Sequence, residues 1–190
     1  MTCFNTVSIN TSQLTLRPIT THDAQALFSL FSDQETMRYW SSPPIKKIHE
    51  ADELIERCIA NYQTQQALCL GLEHQNTAQL IGTCTLFSIH QASRRAELGY
   101  VLKRDHWGRG LMHEALNAFI HFAFTALDLH RLEADIDPRN HASKRILQRL
   151  GFNKEGLLRE RWIVNGEMSD TELYGLLQHE WSAQQQTLSV

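Results

Sequence analysis

Two blocks separated by a short linker decide the fold: Arg95-Ala96-Glu97-Leu98-Gly99-Tyr100-Val101-Leu102, then Trp107-Gly108-Arg109-Gly110 leading into an apolar-periodic run from Leu111. The first block reads as a strand and the run from residue 111 to about 127 as a helix. The glycines between them allow the backbone to approach a ligand closely. The N–H groups of the helix's first turn lack intrahelical partners and carry the positive end of the dipole, so this passage suits a phosphate. A turn that merely needs flexible glycines has the same signature. Two familiar phosphate motifs do not fit. Gly108-x-Gly110-x-x-His113 lacks the third glycine of a dinucleotide fingerprint, and no Gly-Lys-Ser/Thr ending marks a P-loop. His113-Glu114 starts like a zincin helix, but the fifth position is Asn117 rather than histidine. His113 and His121 therefore read as helix-surface or boundary residues, and no metal is expected.

Upstream, Leu14-Thr15-Leu16-Arg17-Pro18 alternates as a short strand that Pro18 stops. Thr20-Thr21-His22-Asp23 offers an N-cap to a helix with Ala24, Leu27, Phe28 and Phe31 at helical spacing. Residues 37–44 carry two prolines and read as irregular chain. A second helix over residues 48–66 places Ala51, Leu54, Ile55, Cys58, Ile59 and Tyr62 on one face. Strands at 67–73 and 80–89 form a hairpin about His74-Gln75-Asn76-Thr77. Downstream come a strand over Arg131–Ile136, the turn Asp137-Pro138-Arg139-Asn140 and a helix over 142–150 closed by Gly151. Strands at 152–158 and 171–177 flank Asn165-Gly166. This order is neither regular βαβ alternation nor all-β. It predicts an α/β protein with a mixed sheet carrying helices. With no repeat or linker, residues 1–190 are read as one domain with a core over about 14–177.

The 190 residues suit a single domain able to bury roughly 70% of its unfolded surface without disulfides or metal. Eighteen Lys+Arg against 21 Asp+Glu give a net charge of -3, which excludes a strongly basic nucleic-acid binder. Cys3, Cys58, Cys69 and Cys84 form no C-x-x-C pair and read as reduced thiols. Residues 1–10 lack the charged and apolar regions of a signal peptide, and no run approaches 18 apolar residues. A soluble cytoplasmic protein without membrane contact is expected.

The second informative passage is Asn140-His141-Ala142-Ser143, followed by Lys144, Arg145 and Arg149 and ending in Leu150-Gly151-Phe152. Asn140 can cap the helix, and Ser143 three residues on lies at the same helix mouth. The three basic side chains read singly as a solvated face, and together they suit a phosphate beside the sheet.

The ordered set E-L-G-Y-V-L, W-G-R-G-L-M-H-E-A and D-P-R-N-H-A-S-K-R-I-L-Q-R-L-G-F-N-K-E-G, with the opening L-T-L-R-P, resembles the GCN5-related N-acetyltransferases. More narrowly it resembles the RimJ/RimL-type ribosomal-protein N-terminal acetyltransferases, over residues 14–177. The resemblance implies a mostly antiparallel sheet of six to seven strands, flanked by about four helices and splayed between its fourth and fifth strands. Those two strands are Arg95–Leu102 and Arg131–Ile136, with acetyl-CoA in the gap. It also implies that the backbone of Tyr100, Val101 and Leu102 holds the pantetheine arm, with Asn140 facing it. Trp107, Gly108, Arg109, Gly110, Leu111 and Met112 form the pyrophosphate turn, and Lys144 or Arg149 meets the nucleotide phosphate. Two departures stand out. Asp105 occupies the place of the family's usual Gln or Arg in the loop. Leu147 replaces the tyrosine that many members use as an acid, leaving Ser143 as the hydroxyl in reach, as in RimL-like members.

An ammonium group must lose a proton before it attacks a thioester, and a carboxylate can take it. Glu97 stands in an otherwise apolar strand, where burial would raise its pKa, so it is the expected base; an edge or paired carboxylate is the plainer alternative. Ser143 is the expected donor to the departing thiolate, and a backbone N–H near Val101 or Leu102 the expected oxyanion partner. Cys84 reads as core. The expected activity is transfer of acetyl from acetyl-CoA to a primary amine, the N-terminal α-amine of a protein such as a ribosomal protein, by a monomer or homodimer. A small-molecule acceptor (polyamine, amino acid or antibiotic) and a non-catalytic acyl-CoA-binding protein are the other readings. The acceptor pocket is expected from the first two helices and residues 37–44, with Tyr39 and Trp40 as walls; Asp33, Glu35, Glu50, Asp52 and Glu53 near that region would suit a cationic acceptor and equally suit helix ends and solvated faces.

Overall fold

The structure is a computed structural model and describes residues 3–188. Its sheet comprises β1 (Ile9–Asn10), β2 (Leu14–Pro18), β3 (Leu68–His74), β4 (Gln79–His90), β5 (Arg95–Leu102), β6 (Arg131–Ile136), β7 (Asn153–Val164) and β8 (Glu167–Leu177). The helices are α1 (Ala24–Phe31), α2 (Ile48–Thr64), α3 (Leu111–Thr125), α4 (His141–Arg149) and α5 (Gln178–Leu188). Strand order is β1-β2-β3-β4-β5-β6-β8-β7. Every neighbouring pair is antiparallel except β5 and β6. The eighth strand exceeds the expected six to seven because the two-residue β1 is too short to leave a pattern in the sequence.

Alternation builds the core. Leu70, Leu72 and Ile81 join Ala96, Leu98, Leu132, Ala134 and the buried face of α3 in the larger cluster, with Leu147 of α4 completing it. The intervening positions point to the opposite face, where Leu80 meets Ile19, Leu27, Ala51 and Ile55 in a smaller cluster under α1 and α2. Strands β4 and β5 run very close together at Gly82, where a Cβ would run into the Val101 carbonyl oxygen and lie 3.2 Å from Leu102 Cα.

Both ends of the chain add more than the sequence pattern showed. Phe4 and Val7 are buried in the main cluster, and Trp181 of α5 packs there against Phe124 with ring centroids 6.4 Å apart. Among the described side chains of α5 only Trp181 belongs to the core, so no strong apolar period announces the helix. The last hairpin is also longer than expected. It extends through Val164 and back from Glu167 about Asn165 (φ 51°) and Gly166 (φ 83°), left-handed backbone suited to a tight hairpin turn. The added residues 159–164 are mostly exposed, so they lack the alternation by which a strand is recognised.

The feature that makes the site is the parallel pair. Strands β5 and β6 align only at Arg95↔Arg131, Ala96↔Leu132 and Glu97↔Glu133. Beyond that point β6 stays with β8 as far as Ile136↔Glu172, while β5 stays with β4 as far as Leu102↔Gly82. The sheet therefore opens, and residues 98–102 have no strand neighbour on the edge away from β4.

Candidate active site

At the opening lies a cleft of about 840 Å³. Its walls are residues 37–46, residues 98–100 of β5, the passage from Ala134 to Asn140 with Ser143, and the β7–β8 hairpin around Trp162. Asn140 caps α4: its Oδ1 accepts the Ser143 backbone N–H at 3.0 Å, fixing the serine in the first turn of the helix. Ser143 is 8% exposed, and its Oγ lies 2.6 Å from the Tyr100 hydroxyl oxygen. Burial pushes the Tyr100 phenol well above its ordinary pKa, and the bond to Ser143 offsets only part of that rise. Leu147, one turn further on, is fully buried in the core.

The glycine turn lies outside this cleft, beyond the end of β5. Trp107 Nε1–H donates to the Leu102 carbonyl at 2.7 Å, tying the turn to the strand. Gly108 and Gly110 have φ of 73° and 78°, and a Cβ at either would meet nothing within 4 Å. The first α3 amide bonded back to this turn is Glu114 N–H, to the Gly110 carbonyl at 3.0 Å. The N–H groups at the helix mouth are thus available, while the Leu111 and Met112 side chains anchor the helix in the core. Arg104 and Arg109 are exposed beside the turn. An open, left-handed, glycine-lined helix mouth is the shape an anionic pyrophosphate requires.

Some expected side chains stand elsewhere. Lys144 Nζ lies 3.5 Å from Glu172, a buried carboxylate that also binds Lys154 at 2.6 Å and accepts from the Tyr174 hydroxyl at 2.9 Å. Those bonds, Lys154 first, hold Glu172 below the usual carboxylate range. Lys144 is therefore engaged in an internal network, whereas Arg149 is exposed at the far end of α4.

Glu97 is half-buried and faces a charged groove of about 180 Å³ with Arg131, Glu133, Asp135 and Glu155. The expected apolar surroundings are absent because alternation sends Ala96 and Leu98 to the core face and turns Glu97 the other way. No hydrogen bond or ion pair among the described residues engages its carboxylate. The groove and the cleft share Ala134 and Asp135.

Three of the five acidic residues expected around the acceptor, Asp33, Glu35 and Glu50, serve local structure. Asp33 accepts the Thr36 N–H and hydroxyl at 2.8 and 2.6 Å, Glu35 pairs with Arg38, and Glu50 accepts the Lys46 and Lys47 N–H groups. The cleft carboxylates are instead Asp135, Asp137, Glu167 and Asp170. Arg139 gathers two of them, reaching Asp137 and Glu167 at 2.6 Å each, with its guanidinium 5.9 Å from the Tyr39 ring centroid. Burial pushes Asp137 up, but the Arg139 bonds outweigh it and hold the carboxyl below its usual range. Tyr39 and Trp40 do line the cleft, as expected. Arg139, the hairpin and the Tyr100 hydroxyl are what sequence reasoning missed. D-P-R-N was visible as a turn, but one of its arginine's two carboxylate partners, Glu167, lies 28 residues downstream.

A sheet opened between a parallel pair, with a glycine-rich helix mouth at one end and a buried hydroxyl at the other, defines an acyl-transfer fold. The chain belongs to the GNAT family: residues 13–153 match the acetyltransferase (GNAT) domain. It is 37% identical over 89% of its length to the uncharacterized N-acetyltransferase YoaA of Bacillus subtilis (strain 168), covering 96% of that protein. It is 32% identical to the [ribosomal protein uS5]-alanine N-acetyltransferase of Escherichia coli (strain K12), over 61% of this chain and 60% of that one. The crystal structure of spermidine N-acetyltransferase from Vibrio cholerae in complex with CoA and spermine superposes with a TM-score of 0.81 at 26% identity, covering 90% of this chain and 99% of that one. The protein is an acetyl-CoA-dependent N-acetyltransferase. Among the described residues no group of three or more His, Cys, Asp or Glu is arranged to hold a metal, and no helix is long and apolar enough to cross a membrane.

Proposed function

We propose that the acceptor is the N-terminal α-amine of a protein, of the ribosomal-protein type, acetylated by direct attack in a ternary complex. The observation that carries this is the charge state of the cleft. Asp137 and Glu167 are bound by Arg139, Asp135 accepts the Trp162 Nε1–H at 3.1 Å, and Asp170 accepts the Glu160 N–H at 2.8 Å. Arg38, Lys46 and Arg139 line the same walls. Four carboxylates against three cations leave a near-neutral cleft, suited to one ammonium on a peptide end and poorly suited to a polycation. A small polyamine acceptor is the second reading, supported by the spermine-bound structural relative.

Acetyl-CoA supplies an activated thioester. In the proposed arrangement the backbone of Tyr100, Val101 and Leu102 lies along the pantetheine with Asn140 facing it. The turn from Trp107 through Gly108, Arg109, Gly110, Leu111 and Met112 receives the pyrophosphate. Glu97 withdraws the acceptor proton through water along the shared Asp135 edge, and Ser143 hydrogen-bonds the departing sulfur. Thiol release from acetyl-CoA, compared between peptides with free N-termini and spermidine, tests the acceptor. Saturable turnover with peptides but not spermidine is expected, and the reverse would overturn it. Ser143→Ala and Glu97→Gln test the roles. Wild-type rates in both variants with the true acceptor would refute the assignments.

A further inference from the structure

We infer that the Tyr100 hydroxyl aims the Ser143 hydroxyl into the cleft, making Tyr100 a positioning residue for acetyl transfer. This rests on the proposed role of Ser143 and extends it to a side chain on a different element. A serine hydroxyl has one hydrogen and two acceptor lone pairs, and its hydrogen rotates to suit its neighbours. The capping bond from Asn140 fixes the Ser143 backbone but leaves that rotor free.

The rotor is set from β5. The Tyr100 and Ser143 oxygens are 2.6 Å apart, at the short end of the O–H···O range. The Tyr100 ring packs against the main core cluster, so its hydroxyl is delivered from a rigid frame. The phenol is the more acidic of the two hydroxyls and the better donor. No other bond of the Tyr100 hydroxyl occurs among the described residues. If Ser143 donated, its single hydrogen would be consumed by the tyrosine and none would be left to point into the cleft. If Tyr100 donates, both groups are satisfied and the serine hydrogen is released toward the cleft that both residues line. A hydroxyl that accepts one hydrogen bond also becomes a stronger donor of the next. Tyr100 itself keeps its proton throughout, since burial disfavours the phenolate. It orients a donor and supplies no proton.

The device also explains how the site works with leucine at position 147. A hydroxyl on β5 and one on α4 face each other across the opening of the sheet, and each is held by an element that folding already fixes.

The test is a double-mutant cycle on steady-state turnover with acetyl-CoA and the accepted amine. Tyr100→Phe is expected to lower kcat about 5- to 30-fold, the size of one well-placed hydrogen bond, with the KM for acetyl-CoA changed by less than about threefold. In the Ser143→Ala background, Tyr100→Phe is expected to cost less than about twofold, because its effect passes through the serine. Calorimetric titration with acetyl-CoA and thermal melting of each variant establish that cofactor binding and folding are retained. Effects that multiply in the double variant would overturn the proposal, placing the tyrosine's contribution in packing. A wild-type kcat for Tyr100→Phe beside an impaired Ser143→Ala would overturn it while leaving the serine assignment intact. A wild-type rate for Ser143→Ala would overturn the serine assignment and this proposal together.

Discussion

Substituting Gly110 by alanine separates its backbone role from its proposed role at the CoA pyrophosphate. The backbone there has φ of 78°, where an L side chain costs about 1–2 kcal/mol. For a chain of this length that corresponds to a fall of about 2–8 °C in melting temperature. A Cβ would meet no protein atom within 4 Å, so nothing in the fold has to move. The new methyl therefore faces only solvent or ligand. If the helix mouth receives the CoA pyrophosphate, the methyl displaces it from one of the charge-assisted hydrogen bonds, which are worth about 1.5–3 kcal/mol. The expected loss of acetyl-CoA affinity is about 10- to 100-fold by calorimetry. Gly166 provides the control: its φ is 83° and its Cβ would also meet nothing within 4 Å, but it sits at the β7–β8 turn. Gly166→Ala should lose similar thermal stability and no affinity. S-acetylpantetheine, which lacks the pyrophosphate, should be bound equally by wild type and Gly110→Ala. Equal acetyl-CoA affinity in the two glycine variants would refute the phosphate role of the turn.

Arg139→Ala releases Asp137 and Glu167 and is expected to raise the acceptor KM severalfold while leaving the KM for acetyl-CoA within about twofold. An unchanged acceptor KM would remove Arg139 from the acceptor wall. Asp23 sits at the start of α1, where burial pushes its pKa up but the bonds from Arg17 and Thr20 outweigh this and hold it below its usual value of 3.8. A depressed carboxylate contributes stability that is present above about pH 4 and lost as pH falls through the folded value. Asp23→Asn should therefore cost about 3 kcal/mol at neutral pH and flatten the acid limb of a melting-temperature profile. An acid limb unchanged from wild type would refute that account. Gly82→Ala should destabilise more than Gly110→Ala despite ordinary backbone angles, because its Cβ collides with the backbone of β5; urea midpoints compare the two directly.

Those elements whose residues alternate or recur with helical period were legible at once. Strands β5 and β6 lie where the pattern puts them, since Ala96, Leu98, Leu132 and Ala134 alternate with polar neighbours. Strand β1 and helix α5 were not legible, because β1 is only two residues long and α5 is held to the core by Trp181 rather than by an apolar stripe. In the site, the glycines and Asn140 declared themselves, since left-handed backbone and a helix cap are local needs that particular residues meet. Glu97 was legible as a lone carboxylate in a strand, but its surroundings were not, because they depend on β6 and the hairpin. For Asp33 and Glu50 the sequence left a helix-end role and an acceptor role equally open, and the structure gives the former: a carboxylate near a helix end or turn binds local N–H groups at little entropic cost, and composition does not show which carboxylates remain for a ligand.

The blocks around Leu102 and Ser143 thus determined by themselves the class of fold, the left-handed glycine turn before α3 and the hydroxyl at the mouth of α4, all features set by residues within one turn or strand of each other. Only the tertiary structure decided where β5 leaves β6, that Lys144 lies against Glu172, that Arg139 reaches Glu167 across the cleft, and that Tyr100 meets Ser143 at 2.6 Å. Each of these joins residues at least 28 positions apart. Such contacts follow from strand register and helix packing, so chain-local propensity carries no trace of them.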